Sequence, residues 1–464
     1  MATLSEVQNF FHSVRLDKDL CKGCINCIKR CPTEAIRVRK GKAKILSDRC
    51  IDCGECIRIC PHHAKKAVYD DLEILKDFTY TIALPAPSLY GQFNNLDDVN
   101  VVLNGLLEMG FDDIFEVARA AEIVSDATRK LMAAGELPRP AISSACPAVL
   151  RLIRVRFPQL IGNIVPLLAP VELAARMAKK EAMEKTGLPA EKIGAIFISP
   201  CPAKVTAVKM PLSTKKSYID GVVAIKDVYP PLLAAMKKCA QPEEELSSAG
   251  RMGISWGSSG GEASALLNDR YLAADGIENV IKVLENLEDE MFRDLDYVEL
   301  NACSGGCVGG VLTVENPYIA KAKLKRLRKY LPVSCNHMGQ EPFPKWDRKL
   351  EYAPVLELDP DVKVAMSKMT EMQAIEERLY GLDCGSCGSP TCRALAEDIV
   401  RGYATEDDCI FKLRESMQTL ARSIANLGSI IPGAYRSQPE EESEGDSDSW
   451  NEAVASGEHG AADD

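Results

Sequence analysis

The sequence predicts an α/β multi-domain protein, and three observations predict it. One cysteine run occurs twice near the start, at residues 21–31 and 50–60, and marks a small α+β unit. From residue 78 short apolar runs alternate with stretches of helical spacing, the pattern of a central α/β domain. A third cysteine group, at 384–409, sits among helical patterns and marks a small, mostly helical C-terminal domain. At 464 residues the chain exceeds one ordinary domain. The expected bounds are 1–77, 78–345 and 346–432, followed by an acidic tail over 433–464.

Composition narrows the class. A hydrophobic content of 46% is ample for real cores, yet no apolar run reaches membrane-spanning length. The opening MATLSEVQNFFHSVRL lacks a basic region followed by an apolar stretch, so no signal peptide is expected and the expected location is cytoplasmic. In that compartment eighteen cysteines read as metal ligands or redox groups rather than disulfides. Net charge is −11, but residues 438–464 hold ten acidic residues and no Lys or Arg, which leaves the rest close to neutral. No nucleic-acid surface is expected. The tail should be disordered, either a solubilising segment or an interaction segment.

The N-terminal elements follow from the cysteines. Cys21, Cys24, Cys27 and Cys31-Pro32 read C-x2-C-x2-C-x3-C-P, and Cys50, Cys53, Cys56 and Cys60-Pro61 repeat it. This is the bacterial two-cluster ferredoxin run, in which the fourth cysteine of each run ligates the other cluster. One 4Fe–4S cluster should use Cys21, Cys24, Cys27 and Cys60, the other Cys50, Cys53, Cys56 and Cys31. Residues 35–46 alternate well enough for a short hairpin. Zinc is the competing reading of C-x2-C pairs; two copies of one run, each closed by Cys-Pro, favour iron. His62 and His63 receive no role.

In the middle, 79–84, 113–117, 141–145, 193–199 and 222–225 suit buried strands. Residues 96–109 and 120–134, and the stretch after 225 up to Lys238, suit helices. Ligands of such sheets gather at the carboxyl ends of strands. Cys146 and Cys201 both stand there, which supports one shared site.

Residues 299–311, ELNACSGGCVGGV, place Cys303 and Cys307 between paired glycines. Glycine lets backbone approach a bulky group, and thiolates bind soft metals. Taken alone, the stretch is either a metal centre pressed against main chain or a glycine-rich turn with two buried cysteines. Ser143-Ser144-Ala145-Cys146-Pro147 and Ser199-Pro200-Cys201-Pro202-Ala203-Lys204 add two more cysteines beside prolines. Together the three stretches resemble the active-site signatures of the iron-only (FeFe) hydrogenases, over roughly residues 15 to 350. The resemblance implies an H-cluster: a 4Fe–4S cluster on Cys146, Cys201, Cys303 and Cys307, with Cys307 bridging to a di-iron site that carries CO and CN ligands. It implies that Lys204 donates to a cyanide of that site. It also implies that the Trp256–Gly261 loop, with Gly260 and Gly261, lies near the centre. The departures matter as much. The family's proton-passing cysteine is Ala145 here, its proton-path glutamate is Ala207, and its site-lining methionines are Ser199 and Asn301. This pattern looks like the divergent sensory type.

At the C-terminus Cys384, Cys387, Cys392 and Cys409 resemble the single-cluster 4Fe–4S domain of some electron-transport and corrinoid-protein subunits. Residues 361–379 are expected as a linker helix, 393–403 as the helix returning to Cys409, and 413–427 as a closing helix. Cys239 and Cys335 fit no motif. The expected protein carries three accessory 4Fe–4S clusters and interconverts dihydrogen with protons and electrons slowly, in hydrogen sensing or redox signalling. Its implied partners are a ferredoxin or signalling protein and the hydrogenase maturation proteins. The alternative is a non-enzymatic electron-transfer or cluster-carrier protein without the di-iron site.

Overall fold

The computed structural model describes residues 11–239, 244–339 and 342–430; the expected acidic tail, 433–464, lies outside the described residues. The chain divides into two compact units, Met1–Thr405 and Glu406–Asp464. The division falls inside the stretch expected as the C-terminal domain, between Cys392 and Cys409.

The first unit opens with β1 (Val14–Leu16), which pairs antiparallel with β4 (Lys65–Ala67). Between them β2 (Ile36–Arg39) and β3 (Lys42–Ile45) form the expected hairpin. Its two-residue turn is Lys40-Gly41, both at positive φ (52° and 70°), the handedness that tight hairpins require. One-turn helices Asn26–Lys29 and Glu55–Arg58 carry Cys27 and Cys56.

The centre is built on parallel strands. β5 (Tyr80–Pro85), β6 (Asp113–Ile114), β8 (Ile193–Ser199) and β9 (Gly221–Ala224) form one sheet in the order β6-β5-β8-β9. Every residue of β8, IGAIFIS, is buried, as expected of a parallel strand covered on both faces. Its side chains split with a period of two. Phe197 joins the helices Val117–Ala133 and Pro170–Thr186 on one face. Ile196 and Ile198 join the helices Val99–Glu108 and Ile225–Lys238 on the other. Full burial of each such isoleucine is worth about 1.5–3 kcal/mol. A second parallel sheet has the order β10-β11-β7, from β7 (Ala141–Ile142), β10 (Tyr271–Asp275) and β11 (Tyr297–Asn301). Helices Pro147–Arg156 and Ile277–Glu288 pack on it.

Two expected strands are shorter than the sequence suggested. Over 113–117 only Asp113–Ile114 pairs, and a helix begins at Val117. Glu116 turns inward there, accepting from the Tyr90 hydroxyl at 2.9 Å and from Ser248 N at 2.7 Å. Over 141–145 the strand stops at Ile142. Ser143 Oγ instead accepts from Ala145 N at 3.1 Å, turning the chain toward the helix at Pro147.

Toward the end of the first unit, helix Val362–Arg378 is capped by Asp361, which accepts from the amides of Lys363 and Val364. It is more than a linker: Met372 and Ile375 are buried, and it packs on helix Cys392–Val400. The second unit holds one long helix, Ile410–Ile430.

Candidate metal centre

The N-terminal cysteines fall into two groups that mix the two runs. Burial pushes the Cys27 thiol up, and the nearby Cys24, Cys60 and Cys21 push it further. Burial likewise raises Cys53, with Cys31, Cys56 and Cys50 adding to the effect. The fourth cysteine of each run thus stands among the first three of the other. Backbone amides already point at sulfur: Ala43 N to Cys21 at 3.4 Å, Ala35 N to Cys31 at 3.2 Å and Ala64 N to Cys60 at 3.3 Å. Amide donors of this kind tune a cluster's potential.

The central four cysteines converge from three directions. Cys146 and Cys201 are each the residue before a helix whose first position is proline, Pro147 and Pro202. Proline suits that position because its missing N–H would have no partner there. Both sulfurs therefore sit at helix N-termini, which favour negative charge. Cys303 and Cys307 follow β11 on a loop where Gly305 and Gly306 have φ of 79° and 88°. The glycines here are required by contact. A Cβ on Gly306 would lie 2.3 Å from Ser259 N, and one on Gly310 would lie 2.1 Å from Pro200 O, beside Cys201. Ser259 N donates to Gly305 O at 3.0 Å and Val308 N to Gly257 O at 2.8 Å, locking the 256–261 loop against the cysteine loop. Burial raises Cys201 to about 11 against the pull of Lys204, and Cys307 and Cys146 add to the rise. Burial, Cys201 and Cys146 raise Cys303. The four sulfurs, Cys201 buried and the others partly exposed, would repel one another as thiolates, and iron supplies the positive charge that offsets this. The residues present fit a cubane.

Lys204 stands one turn beyond Cys201, with Nζ 3.5 Å from Cys307 Sγ. Burial opposes its charge, but Cys307, Cys201 and Cys146 hold its pKa above the ordinary lysine value. Lys204, Cys307, Ala145 and Asn301 line a pocket of about 600 Å³ including its mouth. Ala207 lines a neighbouring cavity that also touches Ala145 and Lys204. The Ser199 hydroxyl is turned to backbone, donating to Cys201 O at 3.2 Å and accepting from Cys201 N at 3.4 Å. Gly260 N donates to Glu299 Oε1 at 3.0 Å. Gly261 has no room for a side chain, since a Cβ would meet Ser255 O at 1.8 Å.

Two carboxylates in the same pocket wall escaped the sequence reading. Glu262 accepts from the Tyr297 hydroxyl and from Ser143 Oγ, both at 2.6 Å. Burial, then the charge of Glu299, push Glu262 up to about 8. Glu299 accepts from Gly260 N, Ala263 N and, at 2.7 Å, Asn301 Nδ2, yet burial still raises it. The available signal was a charged residue inside an otherwise buried strand, YVELN, and another directly after Gly260-Gly261.

The C-terminal loop is fastened to the N-terminal hairpin. Val38 N donates to Gly388 O at 2.8 Å, and a Cβ on Gly388 would lie 1.9 Å from Val38 O. Arg39 donates to Cys387 O and Ser389 Oγ, and Lys29 to Pro390 O. Asp398 accepts from Arg37, Arg39 and Ser389. Cys384, Cys387 and Cys392 lie in this first unit, while Cys409 lies in the second. Cys335 is exposed and Cys239 partly exposed.

Three segments of the chain match known family models. Residues 79–271 match the family model of the iron-only hydrogenase large subunit, C-terminal domain. That match contains Cys146, Cys201 and the 256–261 loop and ends before Cys303. Residues 13–61 match a 4Fe-4S dicluster domain, and 379–411 an Fe-S cluster family. Iron hydrogenase 1 of Clostridium pasteurianum is 24% identical over 309 residues, 54% of this chain and 53% of that protein. The NADP-reducing hydrogenase subunit HndD of Solidesulfovibrio fructosivorans is 22% identical over 358 residues, 64% of this chain and 56% of that protein. The chain thus spans about half the length of the curated relatives it matches. A solved apo FeFe-hydrogenase HydA1 variant from Chlamydomonas reinhardtii superposes with a TM-score of 0.43 at 14% identity, covering 60% of this chain and 95% of that one. The chain thus resembles, over residues 79–271, the large subunit of the iron-only hydrogenases. The segments on either side of that match resemble iron–sulfur cluster domains.

Proposed function

We propose that the protein interconverts dihydrogen with protons and electrons at low turnover and serves in hydrogen sensing or redox signalling. The observation that carries this reading is the convergence of Cys146, Cys201, Cys303 and Cys307 beside Lys204, at a mostly apolar pocket into whose wall Glu262 and Glu299 are set. An iron–sulfur centre with a di-iron unit, held by Cys146, Cys201, Cys303 and Cys307, would supply the hydrogen chemistry. The chain's own residues do the rest. Lys204 presents an ammonium to Cys307 and to the pocket beside it, where an anionic ligand of the metal would be held. Ala145 and Ala207 cannot carry protons. Glu262, raised to about 8 by burial and by the charge of Glu299, is suited to hold and release a proton near pH 7. Tyr297 and Ser143 fix its position.

Electrons would pass along the cysteine groups in their order of contact. The second N-terminal run abuts the centre: Arg58 Nη2 donates to Gly309 O at 2.7 Å, and Gly54 faces Val311 and Pro202. The first run and hairpin abut the C-terminal loop, so that loop is the end at which a ferredoxin or signalling partner would exchange electrons. Eighteen cysteines, all free, suit a reducing compartment such as the cytoplasm. No helix among the described residues is long and apolar enough to cross a membrane.

The test is infrared spectroscopy after maturation with a synthetic di-iron cofactor. Carbonyl and cyanide bands are expected, and they should weaken in Cys307→Ala. Intact 4Fe–4S clusters with no such bands would leave the second reading, an electron-transfer or cluster-carrier protein. Ala145 and Ala207 are the residues that speak for that reading.

A further inference from the structure

The helix Ile410–Ile430 presents an exposed apolar stripe. Ile410, Leu413, Met417, Leu420, Ile424 and Leu427 are each between 42% and 63% exposed. Their spacing is 3, 4, 3, 4, 3, the heptad alternation rather than the broader face of a helix packed on a globular core. The flanking positions stay small or polar, with Arg414, Ser416, Ala421 and Ser423 along the stripe's two edges. Lys412 pairs with Glu415 at 2.9 Å within the helix, off the stripe.

We propose that this helix pairs in parallel with the same helix of a second copy of the chain. Ile410, Met417 and Ile424 fill one core position of the short coiled coil, and Leu413, Leu420 and Leu427 the other. Isoleucine at the first position with leucine at the second is the choice that favours two parallel strands. The stripe is narrow enough for one helix and too narrow for a broad concave partner. Arg414 is the one charge on its edges, so a second copy brings no row of like charge across the seam. The six side chains expose on the order of 600 Å² per helix, so a symmetric pair covers on the order of 1,200 Å², the lower edge of stable specific interfaces. The helix starts one residue after Cys409, so pairing would root both strands at that residue. The proposal stands whether or not the di-iron site is loaded.

Light scattering on the full, cluster-loaded chain reads the mass across low to high micromolar concentration. The expected result is a dimer whose dissociation constant rises at least tenfold in Leu420→Glu, with iron content and visible spectrum unchanged. Lys412→Glu, off the seam, should leave the mass alone. Orientation is read by replacing Leu427 with a photo-crosslinking benzoylphenylalanine and mapping the product. A cross-link to 424–427 of the second copy supports the parallel pair. A monomer at every concentration, a dimer indifferent to Leu420→Glu, a cross-link to 410–413, a cross-link within the same chain, or dimerisation only with another protein would each overturn it.

Discussion

Replacing Glu262 by Gln removes one titratable proton from the pocket wall and keeps its shape. The amide can accept from the Tyr297 hydroxyl and donate to Ser143 Oγ, the two partners that now lie at 2.6 Å. Burial and the nearby Glu299 raise the Glu262 pKa from 4.5 to about 8. Between those values the native state holds a proton that the unfolded chain has released. Stability therefore falls as pH rises through this window, by about 1.4 kcal/mol per unit for one proton. The stabilisation is complete below pH 4.5 and lost above about 8, a total on the order of 3–5 kcal/mol from this group. Glu262→Gln should match the parent at pH 5 and unfold at a higher midpoint at pH 9. On turnover the expectation has the opposite sign. A positioned acid or base is worth about 10²–10⁴ in rate, so the loaded variant should evolve hydrogen from a reduced dye at least tenfold more slowly at pH 7. Infrared spectra fix equal cofactor loading. A variant that gains stability at pH 9 yet evolves hydrogen at the parent rate would show that Glu262 is buried and protonated but carries no protons to the site.

Ala145→Cys paired with Ala207→Glu should raise hydrogen evolution of the equally loaded protein above either single change, because the two methyls interrupt a relay at two points; equal rates in parent and double variant would mean that proton delivery does not limit it. Cys384→Ala with Cys387→Ala should lose about four irons per chain, as one cubane requires, measured by iron analysis against zinc.

What the sequence made legible was the part governed by local rules. β8 falls on residues 193–199 as expected because a run of buried β-formers ending at Ser199-Pro200 admits little else. The hairpin and the two cysteine runs follow from turn chemistry and thiol spacing in the same way. The second sheet was legible only at β7, inside the strand expected over 141–145. β10 and β11 carry Asp275, Glu299 and Asn301, polar residues that break the apolar pattern of a strand. The partners of Glu299 are supplied by the distant segment 260–263, and sequence spacing does not report that contact. Glu262 was missed for the same reason, since its hydroxyl partners lie 119 and 35 residues away. The helix at 362–378 read as a linker because most of its surface is polar; only Met372 and Ile375 of it are buried.

The N-terminal unit is held at both ends by contacts that tolerate little change, and this bears on electron transfer. Potentials and rates along a row of clusters depend on fixed separations and on the groups aimed at sulfur. At one end Gly54, with φ of 83°, lets Val311 approach to 2.7 Å from where a Cβ would stand. At the other, Gly388 and Val38 touch backbone to backbone, and a buried Asp398 joins Arg37, Arg39 and Ser389. A buried ion network of this kind adds little net stability but strongly penalises any arrangement that leaves one partner alone. A flexible tether would have served to keep the domains in one chain. The close contacts instead fix the C-terminal loop against the hairpin in one register, which is what the proposed relay ending at that loop would require.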